Sequence, residues 1–216
     1  MTRVWLIRHG EPAEELRNRC YGSLDAGLSQ RGRAQMAEIA QYLKLETIAA
    51  VYTSPSSRAL DSARIIAAER RCRFEIVKDL REIHFGDFEG LPYAEIASRY
   101  PDLYRQWMEK PTEVKFPNGE SFAEMRVRIF RAFEEIHRES NGQTIAIVSH
   151  GGVNRILVGW ALGMPDHCIF RLAQDYAAIN LLQFEEGLPI VRLLNYCREC
   201  GTHQNDAPPS LYSGGS

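Results

Sequence analysis

The stretch Thr144-Ile145-Ala146-Ile147-Val148-Ser149-His150-Gly151-Gly152 decides the fold. An apolar run with no polar alternation is what a strand covered on both faces requires, and such strands belong to parallel sheets. This one passes directly into Ser-His-Gly-Gly and then into the apolar segment Val153 to Leu162, which reads as a helix. Toward the N terminus the pattern recurs: Val4 to Ile7 is a short buried strand running into Arg8-His9-Gly10-Glu11, with a turn-rich loop through Leu28. Ser29 is a good N-cap for a helix whose apolar positions are Ala34, Ile39, Ala40, Tyr42 and Leu43. Ala49 to Tyr52 then reads as strand, Pro55 to Arg70 as helix and Phe74 to Val77 as strand. Past a polar, aromatic stretch from Arg81 to Gly90 come helical segments at Tyr93 to Tyr100, Pro101 to Glu109 and Ser121 to His137. Two strands, Ala178 to Phe184 and Ile190 to Leu194, flank the turn Glu186-Gly187. This alternation predicts an α/β fold: a three-layer sandwich with a mostly parallel central sheet and helices on both faces.

The 216 residues suit one domain, placed at 1–200, followed by a Gly, Pro, Ser and Asn rich tail, 201–216, expected to be disordered. A net charge of −2 provides no global field toward nucleic acid or membrane, and neither is expected as a partner. That figure conceals an excess of 22 arginines over 4 lysines, and the planar fork of arginine suits phosphate and carboxylate. The N-terminal apolar run is too short for a secretory signal, and no stretch approaches the ~20 apolar residues of a membrane helix. With five cysteines, an odd number, of which Cys20, Cys72 and Cys168 are scattered, a reducing, cytoplasmic location is the expectation. Cys197 and Cys200 form a C-x-x-C which, with His203, offers at most three zinc ligands, so no metal and no cofactor are expected.

In open α/β sheets ligands sit outside the carboxyl ends of the strands. Those positions hold Arg8-His9-Gly10-Glu11, Ser54-Pro55-Ser56-Ser57-Arg58, Arg81-Glu82 and Ser149-His150-Gly151-Gly152. One rim of the sheet should therefore gather two histidines, arginines and a glutamate. A neutral imidazole can attack phosphorus through one nitrogen if the other donates to a carbonyl, which makes His9 the candidate nucleophile. Arg8 and Arg58 supply donors for phosphoryl oxygens, His150 a further donor, and Gly151-Gly152 helix-terminal amides for the same anion. Glu82 is placed to protonate the leaving alkoxide.

These residues resemble the histidine phosphatase superfamily, also called phosphoglycerate mutase-like. The resemblance runs through Leu6-Ile7-Arg8-His9-Gly10-Glu11, Asn18-Arg19-Cys20-Tyr21-Gly22, Ser54 with Arg58, Arg81-Glu82 with Glu89-Gly90, Asn118-Gly119-Glu120-Ser121, and Ser149-His150-Gly151-Gly152. It implies a phosphohistidine on His9, phosphate held by Arg8, Arg58 and His150, Glu82 as general acid, and no metal. Many members carry Asn six residues past the nucleophile where this chain has Glu15. Glu15 is expected to point away from the phosphate, with Asn18 or Arg19 compensating and Asn18, Arg19, Tyr21 and Gly22 forming the substrate loop. The short span from Glu82 to Glu120 lacks the basic insertion of the mutases. Pro12, Phe116-Pro117-Asn118-Gly119 and Arg171-Leu172-Ala173-Gln174 resemble the alpha-ribazole phosphatase branch. The expected partner is a small phosphorylated substrate, and assembly as a homodimer stays open. A broad-specificity phosphatase, a phosphoglycerate mutase and a non-catalytic binding module are the alternatives. Tyr100, Tyr104 and Trp107, at helical spacing, are expected to pack as core or to roof the pocket.

Overall fold

A computed structural model describes residues 1–68 and 70–198. The tail 201–216, Cys200 and His203 lie outside the described residues. Six strands form one sheet: β1 (Thr2–Arg8), β2 (Ala50–Thr53), β3 (Arg73–Ile76), β4 (Thr144–Ser149), β5 (Ile179–Glu185) and β6 (Leu188–Tyr196). Their order is β3-β2-β4-β1-β5-β6. The first four are mutually parallel, and β5 and β6 add an antiparallel hairpin on the other side of β1. The mostly parallel sheet read from sequence is present, with an antiparallel third that the turn at Glu186-Gly187 makes possible.

Alternation along the strands divides the core. Val4, Leu6, Tyr52, Ile145, Ile147 and Leu182 point to one face, where they meet α5 (Phe122–Glu139) and α6 (Gly151–Ala161). Trp5, Ile7, Val51, Ala146, Val148 and Ile179 point to the other and meet α1 (Gln30–Tyr42) and α2 (Ser57–Ala67). Three layers follow, because a strand buried on both sides needs a helix on each. A separate cluster of Phe88, Ile96, Trp107 and Phe116 packs around α3 (Tyr93–Arg99) and α4 (Pro101–Glu109), beyond the sheet's carboxyl edge.

Caps set the helix starts. Ser29 Oγ accepts the Gly32 amide at 2.9 Å, and Ser121 with Glu124 forms a reciprocal capping box on α5, each worth ~1 kcal/mol. Several expected boundaries shift, two helices most tellingly. α2 begins at Ser57 instead of Pro55 and ends at Ala67. α6 begins at Gly151, two residues early, so that His150 becomes its N-cap residue.

Candidate active site

The register of β1 against β4 pairs Arg8 with Ser149. Parallel strands end at the same edge, so the next residues of each chain, His9 and His150, meet side by side. The His9 amide donates to the Ser149 carbonyl at 3.0 Å, and the two imidazoles lie 5.2 Å apart, edge to face. Both are almost fully buried, 2% and 1% exposed.

His9 Nδ1 lies 2.7 Å from the Gly10 carbonyl oxygen. A carbonyl only accepts, so Nδ1 carries the hydrogen and the neutral ring keeps its lone pair on Nε2. Ser62, on α2, supports this arrangement by accepting the Gly10 amide at 3.2 Å while its hydroxyl donates to the Arg58 carbonyl. Burial, then the charges of Arg58 and Arg8, hold the His9 pKa well below 6.5. His150 is lowered in the same way, by burial first and by Arg58 next. Its Nε2 pairs with Ser54 Oγ at 2.8 Å, and its buried Nδ1 has no hydrogen-bond partner among the described residues.

Two arginines flank the histidines, each with terminal nitrogens fixed by loop carbonyls. Arg58, fully buried, donates to Leu24 O at 2.8 Å and Gly22 O at 2.6 Å. Arg8 donates to Gln174 O at 2.5 Å and lies 4.2 Å from the centre of the Tyr176 ring. The Gly22 loop is in turn folded around the Glu89 carboxylate, which accepts the amides of Gly22, Ser23 and Leu24.

Opposite stands Glu82. Its Oε1 accepts the Ile83 amide and its Oε2 the Gly152 amide, both at 3.0 Å. The Gly152 amide is thus committed to Glu82 and not to the anion that the sequence assigned it; of the Gly-Gly pair, Gly151 lines the cavity beside Arg8 and His150. A Cβ at residue 152 would lie 2.4 Å from Glu82 Oε1, so the carboxyl approaches this closely only because the residue is glycine. The loop that carries Glu82 is tied to α5 by Arg128, whose guanidinium donates to the carbonyls of Asp79, Arg81 and Glu82 and to both oxygens of Glu120.

Arg8, His9, Arg58, Glu82 and His150 line a cavity of about 130 Å³ together with Tyr21, Phe85, Trp107, Phe116, Met125 and Phe170. The floor is cationic and imidazole-rich, and the roof is aromatic. Trp107 reaches the cavity, while Tyr104 and Tyr100 stand behind it, packed on Trp107 and Phe88. Of the expected substrate loop, Tyr21 reaches the wall and Gly22 serves through its carbonyl. Asn18 and Arg19 are exposed and do not line the cavity; Arg19 donates to Gly90 O at 2.7 Å. Glu15 is exposed on the short turn Glu14–Leu16 and is not part of the lining.

Sequence reasoning missed Arg155, Tyr176 and the roles of Ser54 and Ser62. Arg155 lines the cavity and donates to Leu172 O; it lies four residues after Gly151, the spacing that puts two residues on one helix face, so the signal was available. Tyr176 had none, because it enters from a loop. Among the described residues no three His, Cys, Asp or Glu side chains are grouped to hold a metal ion. No helix of the described residues is long and apolar enough to cross a membrane.

The chain is similar to known proteins in sequence and in fold. The model of the histidine phosphatase superfamily, branch 1, matches residues 4–196. Phosphoserine phosphatase 1 of Hydrogenobacter thermophilus is 32% identical over 213 residues, 98% of this chain and 100% of that protein. A bifunctional protein of Mycobacterium tuberculosis is 36% identical over 198 residues, 90% of this chain. The match covers only 54% of that relative, so the chain spans about half the length of the mycobacterial proteins it resembles. The alpha-ribazole phosphatase of Shigella flexneri superposes with a TM-score of 0.82 at 27% identity, over 90% of this chain and 96% of that one. Its sequence from β1 to β6 and its fold both place the chain in the histidine phosphatase superfamily.

Proposed function

We propose that the chain hydrolyses phosphate monoesters through a phosphohistidine on His9. The observation that carries this is the Nδ1–H contact to Gly10 O, which leaves the Nε2 lone pair on a buried ring between two arginines, with a carboxyl group across the cavity. In the first step Nε2 attacks phosphorus, the bond to the ester oxygen breaks, and that oxygen takes the proton of Glu82. In the second, the Glu82 carboxylate accepts a proton from water, the water oxygen attacks phosphorus, and the N–P bond returns its electron pair to Nε2. Arg8 and Arg58 meet the charge on the equatorial oxygens. We take Ser54 Oγ, 2.8 Å from His150 Nε2, as the donor in that pair, which puts the proton on Nδ1 and makes His150 a neutral donor to the same group.

For the alcohol half of the substrate we favour alpha-ribazole 5′-phosphate. An aromatic roof of Phe85, Trp107 and Phe116 suits a flat, apolar base, and the Shigella flexneri neighbour is an alpha-ribazole phosphatase. Phosphoserine is the second reading, supported by the full-length likeness to the Hydrogenobacter thermophilus enzyme. Rapid quench with a labelled phosphomonoester tests the chemistry: wild type should carry acid-labile label, and His9→Ala should carry none and lose turnover. An unlabelled wild type, or an active His9→Ala, overturns the mechanism. Ranking kcat/KM for alpha-ribazole 5′-phosphate, phosphoserine and 3-phosphoglycerate decides the substrate, and a lead for phosphoserine would overturn the preference stated here.

A further inference from the structure

The carbonyls that fix the two arginines come from loops far apart in sequence. Arg58 is held by Gly22 and Leu24, and Arg8 by Gln174. Each loop also carries a tyrosine lying against the arginine it anchors: the Arg58 guanidinium is 5.2 Å from the Tyr21 ring, and that of Arg8 is 4.2 Å from the Tyr176 ring. The two phenol oxygens are 2.7 Å apart. Tyr176 further leans on the His9 imidazole, with ring centres 5.7 Å apart.

The backbone beneath Tyr176 is unusual. Ala177 adopts φ +56°, a left-handed conformation that a residue with a Cβ rarely takes, and its amide donates to the His9 carbonyl at 3.0 Å. Such strain persists only where surrounding bonds hold it, and it concentrates at functional sites. Here the bonds are those of Asp175 to Asn195 and of Gln174 to Asn180, which pin the turn on both sides.

We infer that Tyr21 and Tyr176 form a clasp, in which one phenol–phenol hydrogen bond joins the two loops and sets the spacing of Arg8 and Arg58 for a tetrahedral or pentacoordinate oxyanion. Tyr176 is then a positioning residue acting through Arg8, and neither hydroxyl needs to touch the phosphoryl group. The inference rests on the phosphate-site reading but not on turnover, so anion binding tests it separately. Orthovanadate affinity should be measured by calorimetry for wild type, Tyr21→Phe, Tyr176→Phe and the double variant, all of which keep the rings on the arginines. Each single variant should bind about three- to tenfold more weakly, the range for one hydrogen bond. The double variant should bind no more weakly than either single one, because both remove the same bond. For turnover the loss should appear in kcat/KM for every phosphomonoester by the same factor, which a merely structural role, seen only as a lower Tm, would not produce. Independent losses that multiply in the double variant, or unchanged vanadate affinity in both singles, overturn the clasp. Absence of a phosphohistidine in the quench experiment overturns the functional reading while leaving this cycle interpretable.

Discussion

Replacing Gly152 by alanine should separate catalysis from stability. The new Cβ falls 2.4 Å from Glu82 Oε1 and 3.2 Å from its Cδ, where ordinary contact begins near 3.4 Å, so the carboxylate must retreat by about 1 Å. It can do so by turning at its own flexible end, at the cost of its bonds to the Ile83 and Gly152 amides. The fold then suffers little, because Ile83 and Gly152 are half-buried and line the cavity, where water can accept from their amides, and alanine in the first turn of α6 regains about 0.5–1 kcal/mol over glycine. Catalysis is different, since a 1 Å displacement of a reacting group costs ~10²-fold. We expect kcat/KM for an alkyl phosphate to fall about 100-fold, within the ~10²–10⁴ that general acid catalysis supplies. For p-nitrophenyl phosphate, whose leaving group departs without a proton, the fall should stay within about threefold. Steady-state kinetics on the two substrates, with thermal melting as a control, checks this. Equal losses on both, or a variant melting well below wild type, would refute the reasoning.

Three further outcomes are expected. Both buried histidines have pKa values far below 6.5 in the folded state, so below that pH the unfolded chain binds more protons, and each histidine should cost ~1.4 kcal/mol of stability per pH unit as the pH falls; urea titrations between pH 7.5 and 5 on wild type and His150→Gln should show the shallower slope in the variant. Arg128→Met leaves Glu120 partly buried without its main partner and should cost ~3–5 kcal/mol, read as a lower urea midpoint and, because the Glu82 loop loosens, a lower kcat. Ser62→Ala strips the Gly10 amide of its acceptor, which should cost ~1–3 kcal/mol and lower kcat by weakening the hold on His9; unchanged melting and turnover would deny Ser62 that part.

The strand ends were legible because buried parallel strands declare themselves in composition, and because the residues following Ile7 and Val148 carry histidine and arginine in a setting where ligands gather. Registration of β1 with β4 then turned two sequence neighbourhoods 141 residues apart into one pair of rings. Chain-local signals of this kind also placed Ser29 as a cap, whereas Ser121, read as the first helical residue, is the cap of α5. What stayed hidden depends on contacts that no local pattern encodes. Gly152 read as an anion-binding amide, since a helix N terminus favours negative charge, but the negative charge that arrives is the protein's own Glu82. Tyr176 lies in a loop whose path is fixed by Asn180 and Asn195, so its approach to Arg8 emerges only after the hairpin has folded. Asn18 and Arg19 show the reverse case: they share a motif with Tyr21 and Gly22, yet the φ of +59° at Asn18 and the Arg19 contact to Gly90 O keep them on the outside.

The cluster of Phe88, Ile96, Trp107 and Phe116 is a small core beside the two that clamp the sheet, joined to one of them through Ile83. In the proposed mechanism the groups that handle phosphorus are rooted at the sheet's edge, and much of the aromatic surface facing the alcohol, Phe85, Trp107 and Phe116, belongs to this smaller core. Selection can therefore repaint the ceiling residue by residue, altering which alcohol fits, while the distances among His9, His150, Arg8 and Arg58 stay fixed. On the proposed mechanism, such a division of labour permits different alcohols to be served by one set of phosphoryl-binding groups.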